Sequence, residues 1–214
     1  MSTLSKIVLG AMGALRPRPS IGDAVNVIEL PPPDLSGGAS LLEALGKRRS
    51  SREYRSDALP LPMLSTLLWA ADGVNRSDGG RTAPSALGVR EIDVVVALPH
   101  GAYRFDPDSH ALQLICAQDV RRVTGYQDFV DEAALDLVYL ADHARMRQVP
   151  VAQRTSFSSV AAGAIAQNVY LFAASVGLST VLRAWIDREA IAQALGLSHD
   201  HDVLLSQTVG FSKG

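Results

Sequence analysis

The sequence predicts a layered fold of helices and strands, of the α+β or α/β class. Apolar runs at residues 92–98, 135–141 and 203–210 have the length of buried strands. They follow or alternate with segments of helical periodicity that end at glycine. Hydrophobic residues make up 47% of the 214-residue chain and charged residues only 20%, so the chain can form a sizeable core within one domain.

Residues 157–182 carry no charged side chain and belong to the longest uncharged stretch of the chain. From about residue 156 to residue 176 it is rich in alanine, which predicts one buried helix. Gly177 is a natural end for that helix. Residues 178–185 include Thr180 and Val181, which favour a buried strand. We therefore expect a central helix that leads into a central strand.

A membrane span is the alternative for this helix, because a helical span needs roughly 17–25 apolar residues. Gln167 and Asn168 lie in the middle of the stretch. Unpaired polar groups are costly in lipid, so these residues favour a helix buried in a soluble domain.

The other elements follow from local signals along the chain. A helix is expected after Ser40, with one apolar face, and a second helix after residues 61–62, ending at Gly73. A hairpin is expected around the polar turn at residues 106–109. A polar loop at residues 142–155 should precede the long helix, and short helices are expected at 119–125 and 188–195. The apolar face of the first helix would consist of Leu41, Leu42 and Leu45.

Residues 1–38 are predicted to form a tail that precedes the main domain at 39–214. Lys6 comes before a short apolar run, as in a weak signal peptide, but the short run favours a helical or disordered arm. Proline-rich segments at 16–20 and 31–34 are expected to be extended and to lie across another surface. The expected location is cytoplasmic.

Composition excludes several functional classes. The net charge is −2, with no basic field for nucleic acid or an anionic membrane surface. The single cysteine, Cys116, excludes an internal disulfide framework. Only His199 and His201 lie close together among the histidines, and no further ligands show zinc-like spacing, so no metal site is expected. There is no Walker-type or dinucleotide-binding glycine loop.

The segment Lys47-Arg48-Arg49-Ser50-Ser51-Arg52 places four cations and two hydroxyls in six residues. A solvated helix end would explain such a run, because cations favour the carbonyl end of a helix. An anion site would explain it equally, because arginine donates bidentately to phosphate and serine adds a hydroxyl donor. The residues alone leave both interpretations open.

Four segments carry a recognisable pattern: RRSSREY at 48–54 with the helix at 59–74, APSA at 83–86 with the following hairpin, AGAIAQNVYLFAASVGLSTV at 162–181, and the final VGFSKG. Together they resemble the nitroreductase superfamily of FMN-dependent oxidoreductases, in particular its SagB-type dehydrogenase branch. The resemblance implies a three-layer α+β fold with a mixed or antiparallel central sheet flanked by helices. It also implies an intertwined homodimer with FMN at the interface, lined by both chains.

The resemblance also implies roles for the basic segment. Arg48 and Ser50 would bind the FMN phosphate and ribityl chain, with Arg49 beside them. Arg52 would be the catalytic residue, facing the pyrimidine edge of the flavin, where a guanidinium stabilises the charge of the reduced ring. Because alternate residues of an extended segment share a side, Arg48, Ser50 and Arg52 should point together.

Further cofactor contacts are implied outside that segment. Pro84 and Ser85 would form a wall beside the isoalloxazine, the backbone N–H of Ala184 would approach N5, and Lys213 would assist at the phosphate. Residues 87–90 depart from the Asn or Gln-Pro-Trp pattern of many relatives, and residues 183–185 replace a common Glu-Gly pair. These departures leave the substrate and the reductant open.

The resulting functional hypothesis is an FMN oxidoreductase that uses NAD(P)H or a substrate as hydride donor and a small organic acceptor, by a ping-pong mechanism. One alternative is a flavin-binding or flavin-sequestering protein without ordinary turnover. Another is a non-catalytic partner in a peptide-modification complex of the azoline dehydrogenase kind. No nucleic acid or membrane partner is expected.

Overall fold

The fold is built on a seven-stranded sheet, in a computed structural model that describes residues 1–213. The strands of this sheet are β2 (Val27–Glu29), β3 (Ile92–Leu98), β4 (Gly101–Asp106), β5 (Ala111–Cys116), β7 (Leu135–Asp142), β8 (Leu178–Arg183) and β9 (His201–Phe211). Their order is β2-β5-β4-β3-β7-β9-β8, and every pairing is antiparallel. A separate two-stranded ribbon pairs β1 (Arg18–Pro19) with β6 (Gln118–Asp119).

Helices cover both faces of the sheet. The helices are α1 (Thr3–Ala11), α2 (Leu41–Lys47), α3 (Leu61–Asp72), α4 (Val151–Val176) and α5 (Arg188–Leu195). Val94 and Val96 of β3 belong to the core formed with α3 and α4. Val95 and Ala97 belong to the core formed with α5 on the other face. The prediction of a three-layer α+β fold is confirmed, and the antiparallel pairing excludes the α/β alternative.

Local sequence signals set most helix ends as expected. At the start of α2, the Ser40 hydroxyl accepts from the Glu43 N–H and the Glu43 carboxylate accepts from the Ser40 N–H, which forms a capping box. Pro62 lies in the first turn of α3. Gly177 ends α4 in the left-handed conformation at φ 78°, which costs glycine little.

Helix α4 begins earlier than predicted, at Val151 rather than near residue 156. Pro150 immediately precedes it, and the polar residues of its first turn had resembled a loop. By length and composition alone, this is the one helix in the described chain that could cross a membrane. In the fold, it contacts α2, α3 and β8, and Ile165 and Val169 of its inner face lie in the core.

Strand β8 is an edge strand of the sheet. The prediction of a central strand at this position is wrong. Strand β8 is buried because residues 48–55 cover its free edge: the Ser51 N–H donates to the Thr180 carbonyl over 3.0 Å. Tyr54 forms a β-bridge to Ser212, the residue that follows β9. A burial pattern cannot distinguish an edge covered by a loop from one covered by a strand.

The predicted apolar face of α2 points away from the core. Leu41, Leu42 and Leu45 are 63%, 79% and 48% exposed. Ala44 is the residue that α2 buries. Three leucines exposed on one short helix form a surface that favours contact with another protein.

Several residues of the segment 1–38 pack on the main domain of their own chain. Strand β2 joins the main sheet by pairing with β5. Lys6 of α1 is fully buried and donates to the Gln127 carbonyl and to the Asp131 carboxylate over 2.9 and 3.0 Å. Leu15 contributes to the core beside α5. Lys6 and Asp131 lie 125 residues apart in sequence, so no local sequence pattern could predict that they pair.

Asp72 gives the fold a pH-dependent stability that can be measured. Burial raises the pKa of this carboxyl to about 7, although Arg81 and Arg90 oppose the shift. The native state therefore binds a proton that the unfolded chain has lost above pH 4, so the free energy of unfolding falls as pH rises from about 4 to about 7.

We expect Asp72→Asn to be more stable than the wild type at pH 8, by up to about 4 kcal/mol, with the difference vanishing near pH 4. Urea unfolding at several pH values measures this effect. Asp78→Asn, at a side chain 75% exposed, serves as the control. An Asp72→Asn variant with the same pH profile as the wild type would contradict the assignment.

Candidate functional site

A cavity of about 480 Å³ lies where the basic segment meets the end of α4 and strand β8. Three cations line it: Lys47, Arg48 and Arg49. Its hydroxyl groups come from Ser51, Tyr170, Ser179, Thr180 and Ser212. The cavity thus combines positive charge with several hydrogen-bond donors.

Tyr170 links the three elements around this cavity. Its hydroxyl accepts from the Leu182 N–H of β8 over 2.8 Å and lies 2.8 Å from the Ser50 hydroxyl oxygen. The Arg48 guanidinium lies over its ring at 5.3 Å, in cation–π geometry. Tyr170 therefore fixes the basic segment relative to α4 and β8. Tyr170 was not among the predicted site residues, although a tyrosine stands out among the small residues of this helix.

Ser51 anchors the backbone of the basic segment. The Ser179 hydroxyl donates to the Ser51 hydroxyl over 3.1 Å, and the Tyr54 hydroxyl donates to the Ser51 carbonyl over 2.6 Å. Tyr54 is 1% exposed and packs on Phe129 with ring centroids 5.5 Å apart. The cations are thus displayed from a backbone held on both sides.

The predicted alternation of the basic segment holds only in part: Arg48 and Ser50 both contact Tyr170, but Arg52 does not share their cavity. Arg48 and Arg49 both line the cavity, while Arg52 is exposed and lies outside its lining. Ser50 turns its hydroxyl toward Tyr170. These residues belong to no strand, so the period-two argument does not apply to them.

The remaining predicted contacts lie outside the cavity lining. The Ser85 hydroxyl, next to Pro84, donates to the Glu91 carboxylate over 3.1 Å and accepts from the Arg90 N–H over 2.7 Å. The Lys213 ammonium lies 3.6 Å from the Glu132 carboxylate, and both side chains are exposed.

Ala184 is exposed directly after β8, beside a buried ion pair. Arg183 turns inward and donates to the Asp136 carboxylate over 2.8 Å, so its guanidinium is not available at the surface. Trp185 turns outward, 61% exposed, with its ring 5.4 Å from that of Tyr126. The bond from buried Arg183 to Asp136 thus fixes the chain next to the exposed residue Ala184.

The donors of the cavity suit a phosphate-bearing ligand. Arginine and hydroxyl groups both donate to phosphate oxygens. Helices α2 and α4 both end here, near Lys47 and Gly177, so they direct carbonyl ends toward the cavity. The attraction for an anion must therefore come from the side chains, chiefly Arg48 and Arg49.

One group of acidic and histidine side chains has the spacing of a metal site. Oxygen atoms of Asp93 and Asp142 and a ring nitrogen of His201 lie within 4.8 Å of one another. The Arg145 guanidinium pairs with both carboxylates, at 2.7 and 3.0 Å. This cation already supplies the positive charge that the carboxylates need, so the group is explained as an ion-pair cluster.

Comparison with known proteins identifies the family. The profile of the Nitroreductase family matches residues 45–211, and the chain belongs to that family. A protein of Methanocaldococcus jannaschii named as a nitroreductase is 33% identical over 175 residues, covering 77% of this chain and 88% of its own length. The recognition of the family from sequence is confirmed. The narrower assignment to the SagB-type branch stays a prediction.

Solved structures share the fold. A nitroreductase-named protein of Ralstonia eutropha superposes with a TM-score of 0.90 at 51% identity, over 94% of this chain and 96% of the other. NADPH:FMN oxidoreductase from Vibrio harveyi, solved in complex with NAD⁺, superposes with a TM-score of 0.60 at 20% identity, over 81% and 69% of the two chains. At that lower identity, the similarity shows the fold alone.

The link through Tyr170 can be tested without any ligand. Tyr170→Phe removes the hydroxyl that the Leu182 N–H and Ser50 share, and leaves the ring in place. We expect the free energy of unfolding to fall by about 1–3 kcal/mol, because a part-buried donor loses its partner. Urea unfolding measures the change. A variant as stable as the wild type would show that the hydroxyl does not hold these elements together.

Proposed function

We propose that the protein is an FMN-dependent oxidoreductase that transfers hydride between NAD(P)H, or a reduced substrate, and a small organic acceptor. The observation that carries this proposal is the cavity in which Arg48, Arg49 and several hydroxyls converge. Membership of the Nitroreductase family supports it, as does a shared fold with an enzyme named for NADPH and FMN. Bound FMN would supply the centre that accepts and releases hydride.

The residues of the basic segment fit the phosphate end of FMN. Arg48 and Arg49 would pair with the phosphate, and Ser51 would add a hydroxyl donor beside them. Tyr170 would keep Arg48 in place through its ring. Arg52 follows the lining residue Ser51 in the chain, and its guanidinium would oppose negative charge at the pyrimidine edge. Lys213 would approach from the end of β9 after leaving its exposed pair with Glu132.

A second copy of the chain would complete the site. Pro84 and Ser85 lie outside the cavity lining of their own chain, and they would serve as a wall in the site of the partner. The exposed leucines of α2 and the outward Val160 of α4, 72% exposed, supply an apolar surface for the contact. We therefore propose an obligate homodimer with a core-like interface above roughly 2,000 Å².

Absorbance spectra test the proposed function directly. The purified protein, supplied with FMN and freed of excess cofactor, should be yellow with about one flavin per chain. Without oxygen, NADH or NADPH should bleach the flavin absorbance. A colourless protein that retains no FMN would reject flavin use. A yellow protein bleached by neither nucleotide would point to flavin sequestration, or to a different hydride donor.

Arg48 should contribute more to FMN affinity than Arg49. The Tyr170 ring holds half-buried Arg48 in place, whereas Arg49 is exposed and loses more freedom on binding. Arg48→Ala should weaken binding by about 1.5–3 kcal/mol, as expected for a lost charge-assisted bond, and Arg49→Ala by less. Fluorescence titration with FMN measures both, with Arg147→Ala as an exposed control. Equal losses would contradict the role given to Tyr170.

Arg52 should affect rate more than retention of FMN. Its charge would oppose negative charge that develops only on reduction, so Arg52→Ala should stay yellow. Anaerobic reduction in the stopped-flow should slow by roughly 10²–10³, as for a lost oxyanion donor. Unchanged reduction would remove Arg52 from the mechanism.

A ping-pong mechanism has a kinetic test of its own. If donor and acceptor bind in turn at the same site, double-reciprocal plots of the steady-state rate should be parallel, and intersecting plots would contradict a single shared site.

The α2 surface should be required for dimerisation. Leu42→Glu places a charge at a side chain 79% exposed in one chain, and we expect it to yield monomers that lose FMN. Ile21→Glu, at a residue 72% exposed outside α2, serves as the matched control. Sedimentation velocity distinguishes the two forms. A wild type that remains monomeric at micromolar concentration would reject the dimer.

A further inference from the structure

A second cavity, of about 360 Å³, lies where β3 begins and β4 ends, and it shares no lining residue with the first. Its charged lining is balanced, with four arginines and four aspartates: Arg81, Arg90, Arg104, Arg145, Asp72, Asp93, Asp106 and Asp108. So many charges of both signs around one cavity need partners, because an unpaired charge away from water is costly.

Half of these charges are satisfied within the protein. Arg145 pairs with Asp93 over 2.7 Å. Arg104 donates to the Gln113 side chain over 2.8 Å. Asp106 accepts from the Asp108 N–H over 3.0 Å and thereby caps the hairpin turn. These groups shape the cavity and have no evident need of a ligand.

Arg81 and Asp72 are satisfied only in part: one Nη of Arg81 donates to the Asp72 carbonyl over 3.2 Å, and the Asp72 carboxylate has no bond of that length to Arg81. The Arg81 side chain is only 10% exposed, and its buried Nε has no hydrogen-bond partner in the described chain. Its nearest guanidinium nitrogen lies 3.7 Å from the Asp72 carboxylate, beyond hydrogen-bond distance. The other Nη of Arg81 donates to both carboxylate oxygens of Asp108 over 3.3 Å, but that carboxylate is 70% exposed and its pairing is screened by water.

Arg90 supplies a second cation at the cavity. Its backbone has a φ of 53°, and its carbonyl accepts from Arg145 over 2.9 Å. Its charge acts on the Asp72 carboxyl, together with that of Arg81. Two guanidinium groups and one carboxyl thus face the same cavity without short bonds between them.

We propose that this cavity binds a small zwitterion of the α-amino-acid type, with its carboxylate on Arg81 and Arg90 and its ammonium on Asp72. The neighbouring aspartates would repel a simple anion, and the arginines would repel a simple cation. A ligand that carries both charges offers a partner to each. The volume lies within the range of roughly 300–1,000 Å³ that small-molecule sites occupy.

The charge of Asp72 gives this site a pH dependence of known sign. Burial raises the pKa of Asp72 to about 7, Arg81 and Arg90 oppose that shift, and Asp93 and Glu91 add to it. An ammonium group binds the ionised carboxylate, so affinity should rise about tenfold from pH 6 to pH 8. A bare anion would show the reverse, because protonated Asp72 repels it less.

Calorimetry on the full chain, loaded with FMN, tests the proposal. The twenty standard amino acids are screened by thermal shift, with acetate and methylammonium as probes of each charge alone. At least one amino acid should bind with saturation and at least tenfold more tightly than either probe. Asp72→Asn and Arg90→Asn should each weaken that binding at least tenfold, and Arg147→Gln, an exposed arginine outside the cavity, should not. Asparagine is chosen at position 90 because it tolerates a positive φ.

Three results would overturn the proposal. They are an absence of amino-acid binding above the two probes, binding that both cavity variants leave intact, and affinity that falls from pH 6 to pH 8. Thermal unfolding of each variant confirms that it is folded before titration. The two cavities share no lining residue. Measuring FMN retention in the same samples therefore tests flavin binding independently of amino-acid binding.

Discussion

The hydrogen bond from the Ser51 N–H to the Thr180 carbonyl is the contact on which the candidate site depends. It places a segment with no regular structure along the free edge of β8 and thereby covers that edge of the sheet. The cations of that segment become useful only because their backbone is fixed: a flexible arginine loses side-chain entropy on binding an anion, and a preorganised one loses less. Tyr170 extends the same constraint from the backbone to the Arg48 side chain.

Buried charges support this edge from the other side of the sheet. Arg183 is held by Asp136, and its guanidinium lies 5.9 Å from the Phe129 ring, which packs on Tyr54. Lys6 fixes α1 to Asp131 nearby. Breaking one partner of such a pair leaves an uncompensated charge and is strongly destabilising. The N-terminal residues are therefore part of the support beneath the basic segment.

Much of the fold could be predicted from sequence because its elements carry local signals. The run at β3, the capping box at Ser40 and the glycine after α4 each act within a few residues. The edge position of β8 and the docking of α1 depend on contacts between distant residues, such as Lys6 and Asp131, and left no local pattern. In the site, the basic segment was evident from composition, whereas the contacts of Tyr170 with Arg48, Ser50 and Leu182 join elements that are distant in sequence and became visible only in three dimensions.

The central claim is that the basic segment holds the phosphate of FMN in a site that two copies of the chain complete. A crystal structure of the protein grown with FMN tests this most directly. We expect the phosphate against Arg48, Arg49 and Ser51, with Pro84 and Ser85 of the partner subunit beside the isoalloxazine ring. Flavin bound elsewhere, or a site formed by a single chain, would contradict it.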